Sequence, residues 1–117
     1  MNLEDLAGKI GARVATRGRT ADVCIDRIYA GDRMSDLLNQ ASDRTLIVTN
    51  LTSALLIRVA ELMDVPGVCL VGGQEVTPEM VEAARFHGLF VMVSPLDMFE
   101  TCGRLYQCWT EAKRTGP

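Results

Sequence analysis

Short apolar runs alternate along this chain with stretches in which apolar residues return every three or four positions. Leu46-Ile47-Val48, Val68-Cys69-Leu70-Val71 and Leu89-Phe90-Val91-Met92-Val93 are too short for helices and read as strands covered on both faces. Val23-Cys24-Ile25-Asp26-Arg27-Ile28-Tyr29 is β-branched and roughly alternating, and predicts a further strand. Between the runs lie helical patterns. Met34, Leu37, Leu38 and Ala41 predict a helix that Asp32 could cap. A second helix, capped by Thr49 or Asn50 and running to about Met63, is apolar over much of its circumference and is expected to be central. A third starts at Thr77-Pro78-Glu79, with Thr at the cap, Pro at the first position and an acid in the first turn; it stops at His87-Gly88.

The two ends follow the same logic. Asn2 caps a short helix through Ala7, with Glu4 and Asp5 at its positive pole and Gly8 and Gly11 ending it. Arg13-Val14-Ala15 is a short strand candidate, followed by a turn through Arg17-Gly18-Arg19. At the other end, Ser94 and Asp97 are spaced for a capping-box-like exchange that opens the last helix. Phe99, Cys102, Leu105, Tyr106 and Trp109 form one stripe on it, read as core packing, with Trp109 near the end, where an aromatic can anchor a subunit interface. Strand and helix in strict alternation with short connections imply parallel β-α-β units. The expected fold is therefore α/β: a parallel or mostly parallel sheet layered between helices.

At 117 residues the chain reads as a single domain, residues 1–117, long enough to bury roughly two-thirds of the surface its unfolded form exposes. A net charge of −3 and sparse aromatics argue against a nucleic-acid partner. No apolar run approaches the ~20 residues that span a bilayer, and Met1-Asn2-Leu3-Glu4-Asp5 lacks a signal-peptide order, so no membrane partner and a cytoplasmic location are expected. Cys24, Cys69, Cys102 and Cys108 form no paired motif, and His87 is far from all of them in sequence. They read as reduced, buried thiols, with no metal and no cofactor implied.

Chemistry, if any, belongs beyond the carboxyl ends of the strands, where helix N-termini offer unpaired N–H groups. Three such stretches are visible: Thr49-Asn50-Leu51-Thr52-Ser53, Val71-Gly72-Gly73-Gln74-Glu75 and Ser94-Pro95-Leu96-Asp97. The first is rich in hydroxyl and amide groups, and the glycines of the second let a ligand approach the backbone. Thr49, Asn50, Thr52, Gly72, Gly73, Ser94 and Asp97 are thus the candidate ligand residues, for a phosphate or ribose. Caps and a tight turn explain the same residues without a ligand. Lys9, Arg13, Arg17 and Arg19 cluster without an acid; such a cluster could contact an anionic partner or nucleotide, and a solvated turn is the simpler reading. No nucleophile, base and oxyanion donor assemble from the sequence, so no catalytic residue is assigned.

Gly31-Asp32-Arg33, Val71-Gly72-Gly73 and Asp97-Met98-Phe99-Glu100-Thr101 occur in the order and at the spacing of a known family. From about Val23 to Tyr106 the chain resembles a DRTGG domain, with Asp32, Arg33, Gly72, Gly73 and Thr101 on the family pattern. It departs at Val71 and Met98, where the pattern has Thr. The resemblance implies an α/β fold similar to the N-terminal domains of HPr kinase/phosphorylase and Mur ligases. It also implies a non-catalytic regulatory module of the kind found in CBS-containing pyrophosphatases and long phosphotransacetylases, and a homodimer. Two readings follow: a sensor that binds a small phosphorylated ligand such as an adenine nucleotide and acts through a partner protein, or an interaction module without a ligand. Val71 and Met98 each lack a hydroxyl that a ligand could use, which favours the second.

Overall fold

A computed structural model of the chain describes residues 1–73 and 75–115. Its elements, in chain order, are α1 (Leu3–Ile10), β1 (Arg13–Thr16), β2 (Arg27–Ala30), α2 (Met34–Gln40), β3 (Thr45–Thr49), α3 (Ala54–Leu62), β4 (Gly67–Leu70), α4 (Pro78–His87), β5 (Phe90–Val93) and α5 (Met98–Thr115). One five-stranded sheet runs in the order β1-β5-β4-β3-β2. Strands β2 to β5 are parallel, and β1 lies antiparallel to β5 in the register Arg13↔Val93. The expected mostly parallel α/β architecture is present.

Each strand of the parallel set neighbours the next in sequence, so their three connecting helices fall on one side. There Leu37, Leu56, Ile57, Met80 and Ala84 pack on Ile47, Val68, Leu70 and Val91. The opposite face carries α1 and α5, whose Leu3, Leu6, Ile10 and Leu105 pack on Leu46, Val48, Cys69, Phe90 and Met92, with Ile25 of the segment before β2 beside them. β3, β4 and β5 are buried along their whole length, as expected of strands covered on both faces. Leu3 sits so close over Gly67 that any side chain there would meet it.

The local signals hold at some boundaries and shift at others. Asn2 Oδ1 accepts from the Asp5 N–H at 2.8 Å, and Gly11 in the left-handed region closes α1, with Gly8 inside the helix. Thr77 Oγ1 accepts from the Met80 N–H, and Gly88 ends α4 at φ 67°. Several expectations are corrected. α2 has Arg33 at its N-cap with no side-chain bond, because Asp32 precedes the cap. α3 is capped by Ser53, not by Thr49 or Asn50, because Thr49 is still in β3. α3 is the middle helix of its layer, but that layer is outermost, so Leu55 and Leu62 remain exposed. The strand expected from Val23 is confined to Arg27–Ala30; Cys24 makes only an isolated bridge to Asn2 and its thiol is exposed rather than buried.

The basic cluster is taken apart by the fold. Arg17 pairs with Glu4, and Arg19 donates to the His87 carbonyl at the end of α4, where a cation suits the negative pole of the helix. His87 Nδ1 lies 3.0 Å from Glu61 Oε1. Arg13 goes elsewhere, to the edge described next.

Candidate functional site

All the loops that carry the sequence motifs leave the sheet at one edge. β2, β3, β4 and β5 are parallel, so Gly31-Asp32-Arg33, Asn50–Ser53, Val71–Gly73 and Ser94–Asp97 all follow carboxyl ends. Backbone hydrogen bonds stitch the loops across the strand tips. The Gly31 N–H donates to Val48 C=O at 2.9 Å, the Val71 N–H to Thr49 C=O at 3.0 Å, and the Gly72 N–H to Leu96 C=O at 2.7 Å.

The fold turns at this edge. After β4 the chain passes to α4 on one face, and after β5 it passes to α5 on the other. Adjacent parallel strands whose connections part to opposite faces open a crevice between their carboxyl ends. The Gly72–Leu96 bond closes its inner part. Its outer part is a cleft of about 240 Å³ lined by Gly11, Arg13, Gly73, Glu75, Val93 and Pro95. Arg13 arrives there because β1 runs antiparallel to β5, which lays its first residue beside the last residue of β5. Gly72 and Gly73 both lie in the left-handed region, at φ 76° and 68°, with open space where a side chain would stand. The turn thus bares its backbone to solvent. Glu75 shares the cleft, which therefore presents one cation and one carboxylate.

The candidate residues divide into two groups. Thr49, Ser94 and Thr101 are fully buried. Thr49 Oγ1 accepts from the Leu51 N–H at 3.2 Å, Ser94 Oγ lies 2.8 Å from Thr101 Oγ1, and Ser94 Oγ also accepts from the Leu96 N–H. Asn50, Gly72, Gly73 and Asp97 are exposed, and Thr52 is half-buried. Asp97 Oδ1 accepts from the Glu100 N–H at 2.9 Å, so it caps α5 by itself; the exchange expected between Ser94 and Asp97 is replaced by Ser94 with Thr101. Gln74 lies outside the described residues.

Asp32 and Arg33 are exposed beyond β2, two strand positions and so about 10 Å from the Gly72 turn. Next to them Tyr29 donates to Asp36 Oδ2 at 3.2 Å and fastens β2 to α2. Burial pushes the Tyr29 phenol up, Asp36 and Asp32 add to the rise, and Arg33 opposes it. Among the described residues no group of three or more His, Cys, Asp or Glu side chains gathers to hold a metal ion. The sequence singles out Arg13 only within a basic cluster and does not place it at this edge. Its placement depends on a pairing between residues 80 apart, which local pattern does not encode.

The fold and this edge together define a three-layer α/β domain with a mostly parallel sheet and a crevice at its β4–β5 tips. The CBS and DRTGG domains of the regulatory region of Clostridium perfringens pyrophosphatase, solved in complex with the activator diadenosine tetraphosphate, resemble it with a TM-score of 0.72 at 14% identity. The match covers 91% of this chain and 46% of that one, so the chain spans about half the length of that regulatory region. At this identity the likeness is one of fold. No protein-family model matches the sequence, and no curated protein matches it.

Proposed function

We propose that this chain is a non-catalytic regulatory or sensor domain that binds a small phosphorylated ligand at the carboxyl edge of its parallel strands and acts through a partner protein, as a homodimer. The observation that carries the reading is the cleft in which the bared Gly73 turn faces Arg13. An exposed backbone turn accepts close approach by a ligand, and a guanidinium suits bidentate contact with a phosphate. The nucleotide-bound structure of the similar pyrophosphatase regulatory region supports an adenine nucleotide as the first ligand to try. Asn50, Thr52, Gly72, Gly73 and Asp97 would border the ligand, and the buried Thr49 and Ser94 would hold the loops that present it.

One observation favours the second reading, an interaction module without a ligand. The hydroxyls of Thr49, Ser94 and Thr101 are spent on contacts within the chain, and the Gly72 N–H is taken by Leu96. The test is a thermal-shift series with adenosine mono-, di-, tri- and dinucleotides. A ligand at a hundredfold excess over its Kd stabilises the native state by about 2.7 kcal/mol. A shift that Arg13→Ala removes supports the sensor, whereas no shift with any nucleotide leaves the interaction module as the reading to keep.

A further inference from the structure

Between the edge strand β2 and α5 runs a groove of about 420 Å³, a volume within the roughly 300–1,000 Å³ of small-molecule sites. Ile28 and Ala30 form its floor, and Cys102, Leu105, Tyr106 and Trp109 its wall. Leu105 is buried, whereas Tyr106 is 70% exposed. Tyr106 is therefore not core, and neither is Phe99 at 85%, contrary to the single buried stripe the sequence suggests. A second hollow of about 230 Å³ lies beside the first, with Met1, Ile25 and Ala112 around it. Asp26 and Trp109 border both hollows and so mark the point where they meet.

The charges around this junction are unequal. Arg27 also lines the groove, but its guanidinium donates to Gln40 Oε1 at 3.2 Å, at the end of α2. α2 packs on the other face of the sheet, so the cation is drawn away from the groove. Asp26 gives its N–H to the Arg44 carbonyl. Its carboxylate has no hydrogen bond or ion pair among the described residues, the Met1 ammonium included. Along α5, Glu100, Arg104 and Glu111 are exposed and border neither hollow. Lys113 stands one turn beyond Trp109 in the same helix. The charged residue common to both hollows is therefore Asp26.

We propose that this groove is a second ligand site, for a small arylalkylamine. A flat ring fits between the strand floor of Ile28 and Ala30 and the aromatic wall of Tyr106 and Trp109, where it buries apolar surface and meets ring faces. The protonated nitrogen sits at the junction of the two hollows, between the Asp26 carboxylate and the Trp109 ring. Both groups attract a cation, the carboxylate by its charge and the indole by the negative face of its π system. A carboxylate ligand would meet repulsion from Asp26 at the same point. The groove shares no residue with the crevice, so this site does not rest on the nucleotide reading.

Trp109 is the only tryptophan of the chain, so selectively excited indole emission reads this groove directly. The probes are phenethylamine, phenethyl alcohol and hydrocinnamate, which share a ring and a short chain and differ in charge at the tip. A saturable change in emission is expected with the amine at millimolar concentration, with about tenfold weaker binding for the alcohol and none for the acid. Asp26→Asn, at an exposed position, is expected to keep the circular dichroism and to bring the amine down to the affinity of the alcohol. Lys113→Ala removes a like charge and is expected to leave the amine bound at least as tightly. The proposal is overturned if the amine gives no saturable response, if the acid binds equally well, if Asp26→Asn leaves the preference for the amine intact, or if Lys113→Ala abolishes binding. The nucleotide thermal shift and its Arg13→Ala control are read separately and bear only on the crevice.

Discussion

Ser94 and Thr101 hold their hydroxyl oxygens 2.8 Å apart, and both residues are fully buried. This pair joins the loop after β5 to the first turn of α5, and so fixes where the outer wall of the crevice stands. Thr101→Val keeps the shape but leaves the Ser94 hydroxyl short of a partner. Loss of about 1–3 kcal/mol in urea unfolding is expected, the usual cost of stranding a buried polar group. Adding Ser94→Ala to Thr101→Val should recover part of that loss. Additive losses in the double variant would show that the two hydroxyls do not act as a pair.

Burial pushes the Cys69 thiol from its ordinary 9.0 up to about 12, and proximity to Cys102 adds to the rise. The unfolded chain releases that proton first, so the contribution to stability is full below about pH 9 and is lost as pH climbs toward 12. One such group gives a slope of about 1.4 kcal/mol per pH unit across that window. Stability measured from pH 8 to 11 should fall accordingly, and Cys69→Ala should flatten the curve.

The thiols should also differ in reactivity. Cys24 is exposed, Cys102 intermediate, and Cys69 and Cys108 buried. A chromogenic disulfide reagent at pH 8 is expected to label Cys24 in the first phase, and Cys69 only after denaturation. Fast labelling of Cys69 in the native protein would contradict its place beneath α5.

At the crevice, Gly73→Val has two separable effects. The left-handed φ of 68° makes the substitution cost stability, on the order of 1–2 kcal/mol. Any nucleotide response should vanish as well. Arg13→Ala touches an exposed side chain and should lose the response with stability changed by less than about 0.5 kcal/mol. A nucleotide shift that survives both changes would move the ligand away from this cleft.

The residues show which features a sequence can carry. Thr77-Pro78 and Gly88 mark both ends of α4 because capping is settled within a few residues. The runs at Leu46, Val68 and Phe90 mark the buried strands for the same local reason. Asp32 and Asn50 have capping chemistry but sit off the cap, since each strand ends where its neighbour stops pairing. Phe99 and Tyr106 share a helical spacing with Leu105, yet a stripe's width does not tell which part meets the sheet. The carboxyl edge was legible as a place. The Gly72–Leu96 closure and the arrival of Arg13 were not, because both depend on contacts between distant parts of the chain.

The antiparallel seating of β1 has a kinetic consequence. β2 through β5 each pair with the next strand in sequence, so the parallel part of the sheet can assemble by short loop closures. β1 must wait for β5, which pairs Arg13 with Val93 across about two-thirds of the chain. In native-state hydrogen exchange the β1 amides should therefore open before those of β3 and β4. Arg13 would leave the crevice in the same event, so a ligand gripping it would slow exchange throughout the N-terminal segment.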